Sequence, residues 1–230
     1  MRFPELFSET GLLNRERRSK FLLISILLFF VLAPLLEERE IGRLCLILIL
    51  YATLASATME LAERRILFIS AIPIAFSSMV LLLLSHYQPT RLLLIINGVV
   101  LAAFLLIVSI SLFIYLGHGR GSTSSRLTIS VSLYFLIGMS WFAIYNVVNS
   151  VQPGSIAEAG QPITDVAHWS TFLYFSMVTL TTLGYGDIIP IRPAARMFTV
   201  LEAAAGVLYL AITVARLVGG AQKPSSQEKE

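Results

Sequence analysis

Long apolar runs alternate with short polar segments along most of the chain. Six runs carry almost no charge: Phe21–Leu36, Leu44–Met59, Ile66–Ser85, Leu92–Gly117, Leu127–Asn149 and Met197–Ala215. A helix needs about 20 residues to cross a hydrocarbon core about 30 Å thick. The first two runs hold 16 residues each, and the flanking Lys20 and Arg43 lengthen them because their alkyl stems can snorkel. The pattern predicts six transmembrane helices.

A seventh apolar stretch, Val166–Leu183, lies between the fifth and sixth runs. If it enters and leaves the membrane on the outer side, and the N-terminus is cytoplasmic, 12 of the 17 basic residues face the cytoplasm. If this stretch crossed the membrane completely, the excess of basic residues on the cytoplasmic side would be smaller but would remain. The positive-inside rule therefore favours a re-entrant segment, with both termini cytoplasmic.

Composition agrees with a membrane location. Hydrophobic residues make up 56% of the chain and charged residues 13%, about half the charged fraction of an ordinary soluble domain. This excludes a soluble globular domain and a disordered chain. The single cysteine, Cys45, excludes an intrachain disulfide scaffold. The expected fold is an all-α integral membrane protein.

The segment Thr181–Asp187 has the most specific sequence, Thr-Thr-Leu-Gly-Tyr-Gly-Asp. Successive backbone carbonyls can face a cation together only if alternate residues adopt unusual φ values, which glycine does at little cost. Gly184 and Gly186 provide this alternation. Tyr185 can brace the loop sideways, and Asp187 places negative charge at its outer end.

A short helix from about Trp169 to Thr181 is expected before this loop. Asp165 or Ser170 could cap its N-terminus, and its C-terminal end would direct partial negative charge toward the membrane centre. One loop has too few oxygens to surround an ion, so several copies must converge on one axis. Non-helical backbone at membrane depth requires such a protein or water environment.

At these residues the chain resembles the potassium channel family, whose carbonyl-lined selectivity filter is well described. The resemblance covers residues 127–218, and the six runs together resemble the bacterial six-helix, one-pore type. It implies a homotetramer that conducts K⁺ passively. The backbone positions that it assigns to K⁺ coordination are those of Thr182, Leu183, Gly184, Tyr185 and Gly186. Leu183 stands where valine or isoleucine is commoner.

The same resemblance suggests a division of the chain. Residues 1–20 would be a basic cytoplasmic N-terminus, and 21–117 a four-helix transmembrane domain similar to a degenerate voltage-sensor domain. The Gly/Ser-rich segment 118–126 would be a cytoplasmic linker. Residues 127–218 would form the pore domain and 219–230 a short cytoplasmic tail.

Two positions in the expected pore helix differ from the family pattern. Tyr174-Phe175 occupies the place of a common tryptophan pair, and the Tyr174 hydroxyl could still bond Asp187. Val178 stands where some members have a glutamate behind the filter, so inactivation through such a carboxylate is not expected.

The last run contains the only acidic residue inside a predicted span, Glu202. Buried membrane charges usually face the protein interior and mark function, so Glu202 could bond the pore helix, for example at Thr181. The alternative is a hydrated or simply protonated carboxyl group. Gly206 is either a hinge or a helix-packing glycine. Val207, Leu210 and Val214 share one helix face, which the resemblance assigns to the cavity and gate.

Other function classes have little support. The fourth run lacks the repeated arginines of a voltage sensor, so conventional voltage gating is not expected. No nucleophile–base arrangement or phosphate-binding loop indicates an enzyme. We expect no cofactor, no metal other than K⁺ and no nucleic acid, with membrane lipids as partners and a regulatory partner left open. Two alternatives remain: a weakly selective cation channel of the same fold, and a non-conducting subunit. The expected location is a cell membrane, in a prokaryote.

Overall fold

The computed structural model describes residues 9–37, 39–60, 65–87, 90–117, 122–164 and 169–221, and seven helices lie within them. These helices are α1 (Glu9–Leu36), α2 (Glu40–Glu60), α3 (Arg65–Tyr87), α4 (Arg91–Gly117), α5 (Thr123–Val151), α6 (Trp169–Leu180) and α7 (Pro193–Ala221). Among the described residues, five helices are long and apolar enough to cross a membrane, namely α1, α2, α4, α5 and α7. The part of α3 that qualifies as apolar, Ala71–Ser85, is shorter. The predicted count of six spans therefore stays a prediction.

The helices pack side by side around one apolar core. Phe29 of α1, Leu50 of α2, Phe104 of α4 and Leu133 of α5 are all fully or almost fully buried. α5 packs against α4 and α1 as well as against α6 and α7. The helix that opens the predicted pore domain is thus continuous with the core of the first four helices.

A small three-stranded sheet, which the all-α expectation did not include, lies at one end of the bundle. Its strands are β1 (Ile156–Glu158), β2 (Gln161–Pro162) and β3 (Ile188–Pro190), in the order β2-β1-β3. Both pairings are antiparallel, with Glu158 opposite Gln161 in one and opposite Ile188 in the other. Each strand has only two or three residues, too few to show an alternating pattern in the sequence.

The sheet fixes the path of the segment between β2 and β3. β1 precedes α6 and β3 follows it, and the two strands pair directly. The intervening chain therefore leaves one end of the bundle and returns to the same end. α6 has 12 residues, which at 1.5 Å per residue gives about 18 Å, well short of the membrane core. This path is the one that a re-entrant segment requires, and re-entry into the membrane stays a prediction.

Candidate ion-conduction site

The loop after α6 has an alternating backbone conformation. Thr182, Gly184 and Gly186 have φ values of 58°, 57° and 82°, all in the left-handed region. A Cβ built on Gly184 or Gly186 would meet no atom within 4 Å. These glycines are therefore needed for backbone conformation and not for close packing within the chain.

Hydrogen bonds to α6 set the direction of two successive peptide groups. The N–H groups of Leu183 and Gly184 both donate to the carbonyl oxygen of Val178, at 2.9 and 3.4 Å. In a planar trans peptide the carbonyl points opposite to the N–H that shares its bond. The carbonyls of Thr182 and Leu183 therefore both point away from α6, which is the parallel arrangement that cation binding requires.

The side of the loop that faces away from α6 is open in the single chain. All residues from 181 to 187 are exposed, although they follow a largely buried helix. Leu183 is 56% exposed and Tyr185 is 67% exposed. The Tyr185 ring is therefore not packed against the part of the chain that the structure describes, and its expected bracing role stays a prediction.

Asp187 ties the far end of the loop to α6 and to the sheet. Its Oδ2 accepts a 2.7 Å hydrogen bond from the Tyr174 hydroxyl, the contact expected from the sequence. Its backbone carbonyl accepts from Ala159 N–H at 2.9 Å, at the end of β1. The Tyr174 bond holds the pKa of Asp187 below its usual value, and the same bond raises the pKa of Tyr174 to about 12. Asp187 therefore remains negative at the mouth of the loop.

The N-terminus of α6 is stabilised by Glu37, which directly follows α1. Ser170 lies inside α6, and its N–H donates to Oε2 of Glu37 at 3.0 Å. Asp165, the other expected cap, lies outside the described residues. Glu37 is buried, and its negative charge lies where the helix dipole is positive.

Glu202 joins three helices at a fully buried position. Its Oε1 lies 2.5 Å from Oγ of Ser176 on α6, and its Oε2 accepts a 2.5 Å bond from the Tyr145 hydroxyl on α5. The contact with the pore helix thus exists, but the suggested partner was wrong. Thr181 instead donates to the carbonyl of Met177, within α6, at 2.7 Å.

Gly206 lies against the last carbonyl of α6. A Cβ at this position would be only 2.1 Å from the backbone oxygen of Leu180. Tyr134 of α5 donates to the same oxygen at 3.4 Å. Of the two interpretations of Gly206, the structure favours close packing between α7 and the end of α6.

The predicted cavity face of α7 is largely uncovered. Val207, Leu210 and Val214 are each at least 50% exposed, while the neighbouring Gly206 is buried. The structure thus brings the loop, α6, Glu202 and Gly206 together, and it leaves these three apolar residues open.

Sequence reasoning missed four residues that hold this site together: Glu37, Tyr145, Ala159 and Ser176. Tyr145 and Ser176 are hydroxyl groups inside apolar runs, and a hydroxyl buried in hydrocarbon must find a partner. That signal was available. Glu37 is 133 residues away from its partner Ser170, and Ala159 acts through its backbone N–H in a turn. Neither contact has a comparable signal in the sequence.

No group of three or more potential metal-ligating side chains occurs in the part of the chain that the structure describes. The loop at 181–187 carries backbone carbonyl oxygens, and those of Thr182 and Leu183 point the same way.

Comparison with known proteins relates this site to ion channels. Residues 129–221 match the family model described as "Ion channel". No solved structure matches the chain significantly. The matched residues run from α5 through the loop to the end of α7 and include every predicted site residue, but they make up less than half of the chain.

Curated relatives match part of the chain. The chain is 29% identical over 104 residues to the inward rectifier potassium channel Kirbac3.1 of Paramagnetospirillum magnetotacticum, covering 44% of this chain and 31% of the relative. It is 33% identical over 84 residues to two pore potassium channel c of Oryza sativa subsp. japonica, covering 36% and 18%. It is 39% identical over 49 residues to the voltage-gated potassium channel Kch of Escherichia coli, covering 21% and 12%.

The chain thus spans less than a third of the length of each of these three relatives. The apolar helices and the matched region together indicate a multi-pass membrane protein of the ion-transport class. Residues 129–221 match the ion channel family model, and the three curated relatives are named as potassium channels.

Proposed function

We propose that this protein is a potassium channel that conducts K⁺ passively through a filter formed by residues 182–186. The observation that carries this proposal is the pair of parallel carbonyls at Thr182 and Leu183, set by the bonds to Val178. Backbone carbonyls of this kind replace the hydration shell of K⁺. Gly184, Tyr185 and Gly186 continue the alternating backbone and supply the remaining carbonyls.

The surroundings of the filter favour a cation. α6 directs its C-terminal end, with partial negative charge, toward the start of the loop. Asp187 adds a full negative charge at the other end. In this proposal Thr181, Tyr174, Asp187 and Glu202 support the filter, and no cofactor takes part.

Four copies of the chain form the conducting unit. One copy exposes its whole loop from 181 to 187 and the apolar face of α7 that carries Val207, Leu210 and Val214. Contact between copies would cover the loop and place this face around a central cavity and gate. A closed symmetric ring is the usual way in which identical subunits cover such surfaces.

Voltage does not gate this channel in the conventional way. Arg91, at the start of α4, donates to the backbone oxygens of Ser150 and Val151 at 2.6 and 3.2 Å. These bonds anchor the guanidinium to the end of α5. A voltage sensor needs several mobile charges in each subunit. In this proposal the first four helices therefore serve as a scaffold. Both termini are cytoplasmic, and the protein belongs to a prokaryotic cell membrane.

Two other functions remain as alternatives. A weakly selective cation channel would use the same loop, with the filter less tightly held. A non-conducting subunit would leave the loop without a role, and the hydrogen bonds that hold it to α6 and to the sheet argue against this.

Flux into liposomes that contain the purified full-length chain tests the proposal. We expect K⁺ flux well above Na⁺ flux. Gly184→Ala should abolish this preference, because a Cβ in the left-handed region costs about 1–2 kcal/mol. Gly160→Ala is the matched control: Gly160 has φ of 81° and open space around it, but lies in the turn between β1 and β2.

The outcomes separate the alternatives. Equal K⁺ and Na⁺ flux would indicate the weakly selective channel, and no flux of either ion would indicate the non-conducting subunit. Equal loss of selectivity in Gly184→Ala and Gly160→Ala would show that the loop is not the filter.

A further inference from the structure

The contacts around Glu202 require more hydrogens than the hydroxyl groups provide. Oε2 of Glu202 lies 2.5 Å from the Tyr145 hydroxyl, and its Oε1 lies 2.5 Å from Oγ of Ser176. Oγ of Ser176 also lies 2.7 Å from the carbonyl oxygen of Gly138. Each hydroxyl carries one proton. Tyr145 and Ser176 therefore supply two protons for three contacts.

We propose that Glu202 is a neutral carboxylic acid that supplies the third proton. Tyr145 then donates to Oε2 of Glu202, Oε1 of Glu202 donates to Ser176, and Ser176 donates to the carbonyl of Gly138. This is a one-way chain of hydrogen bonds in which every hydroxyl donates once. With an ionised Glu202, either Ser176 would leave one of its two neighbours without a hydrogen, or both contacts would have to share one proton.

The surroundings of Glu202 agree with a neutral group. Its side chain is fully buried, and no lysine, arginine or histidine among the described residues forms an ion pair with it. The ionisable groups near it are Tyr145 and Tyr134, both on α5. The ring of Phe175 packs edge-on against Tyr145 with centroids 4.8 Å apart. Burying an unpaired carboxylate in such a place costs far more than burying a neutral acid.

The chain of bonds gives Glu202 a specific role. It connects α7, α5 and α6 through hydroxyl groups that each donate to one acceptor, so α6 is held in one position relative to both neighbours. Five residues after Ser176, the chain enters the loop. This inference rests on the proposed function: Glu202 is a positioning residue that acts on the filter through α6.

Substitution of Glu202 distinguishes a neutral acid from a carboxylate. In Glu202→Gln the amide oxygen accepts from Tyr145 and the amide nitrogen donates to Ser176, so the K⁺/Na⁺ flux ratio should stay within about twofold of the wild-type ratio. Glu202→Ala removes the acceptor of the buried Tyr145 hydroxyl and leaves Ser176 bonded only to the carbonyl of Gly138, and it should lower the ratio about tenfold or more. Chromatography in detergent checks that both variants still assemble.

Infrared spectroscopy gives a readout that does not depend on conduction. At neutral pH the wild-type chain should show a protonated carboxyl band that Glu202→Gln lacks. Glu158→Gln is the matched control, because Glu158 is exposed and its loss should leave that band unchanged.

Each result decides the inference. If the protonated carboxyl band is absent from the wild type, or if Glu202→Gln lowers the K⁺/Na⁺ flux ratio as much as Glu202→Ala does, Glu202 is not a neutral donor. If Glu202→Ala keeps the wild-type flux ratio, it does not position the filter. A wild-type chain that conducts no K⁺ would refute the proposed function instead, and the infrared result would still decide the state of Glu202.

Discussion

Replacing Gly206 with alanine tests whether α7 holds the filter through the end of α6. The added Cβ would lie 2.1 Å from the carbonyl oxygen of Leu180 and 3.0 Å from its carbonyl carbon. Carbon and carbonyl oxygen normally approach to about 3.3–3.6 Å. The two backbones would therefore have to separate by about 1 Å. Leu180 is nearly fully buried and directly precedes Thr181, so this shift would reach the filter.

The free-energy cost follows from two opposing effects. Overpacking of this kind costs about 1–3 kcal/mol, and alanine gains about 1 kcal/mol over glycine inside a helix. We expect Gly206→Ala to lower the free energy of unfolding by at most about 2 kcal/mol. The K⁺/Na⁺ flux ratio in liposomes should fall clearly, since a filter carbonyl displaced by about 1 Å no longer matches the ion.

Gly117→Ala is the matched control away from α6. Its Cβ would meet Nη1 of Arg216 at 3.2 Å, and the end of a flexible arginine side chain can move aside. The flux ratio of this variant should stay close to that of the wild type. A hinge at Gly206 would instead change how often the pore opens and leave selectivity unaltered. If Gly206→Ala keeps the wild-type ratio, or Gly117→Ala lowers it equally, the contact at Leu180 does not control the filter.

Three further predictions concern the groups around the filter and the charge on α4. Glu37→Ala should lower the free energy of unfolding by about 1–2 kcal/mol, because it removes a charged partner from the Ser170 N–H; thermal unfolding in detergent measures this, and an unchanged midpoint would contradict it. Tyr174→Phe removes the bond that lowers the pKa of Asp187, so that pKa should rise. In the wild type, ionised Asp187 contributes stability above its usual pKa, and this stability is lost as the pH falls through the lowered value. The variant lacks this contribution, so it should be less stable near neutral pH and its stability should change less in acid, while its K⁺ flux should fall at a higher pH than in the wild type; identical acid profiles would refute this. In bilayer recordings the conductance–voltage curve of the wild type should be shallow, and Arg91→Gln should not shift it, because a fixed Arg91 contributes none of the about 2.3 kcal/mol per 100 mV that a mobile charge would. A steep wild-type curve that Arg91→Gln shifts or flattens would show that Arg91 moves in the field.

Some of the site could be predicted because it depends on single residues and short spacing. Gly184 and Gly186 permit positive φ values at little cost, and the structure has positive φ at both. Tyr174 and Asp187 are 13 residues apart along a helix and a tight loop, and their bond was expected and is present. The K⁺ ligands and the assembly of four copies stay predictions.

The sequence by itself determined that this is a membrane protein of apolar helices and that one glycine-rich loop interrupts them. Apolar runs and glycine positions act locally, so their effect can be read without the fold. Only the tertiary structure decided that Glu37 stabilises a helix 133 residues away, that Glu202 bonds Ser176 instead of Thr181, and that β1 and β3 close the re-entrant segment. These contacts join residues far apart in the chain. Each depends on how the helices pack, and packing geometry has no local signal in the sequence.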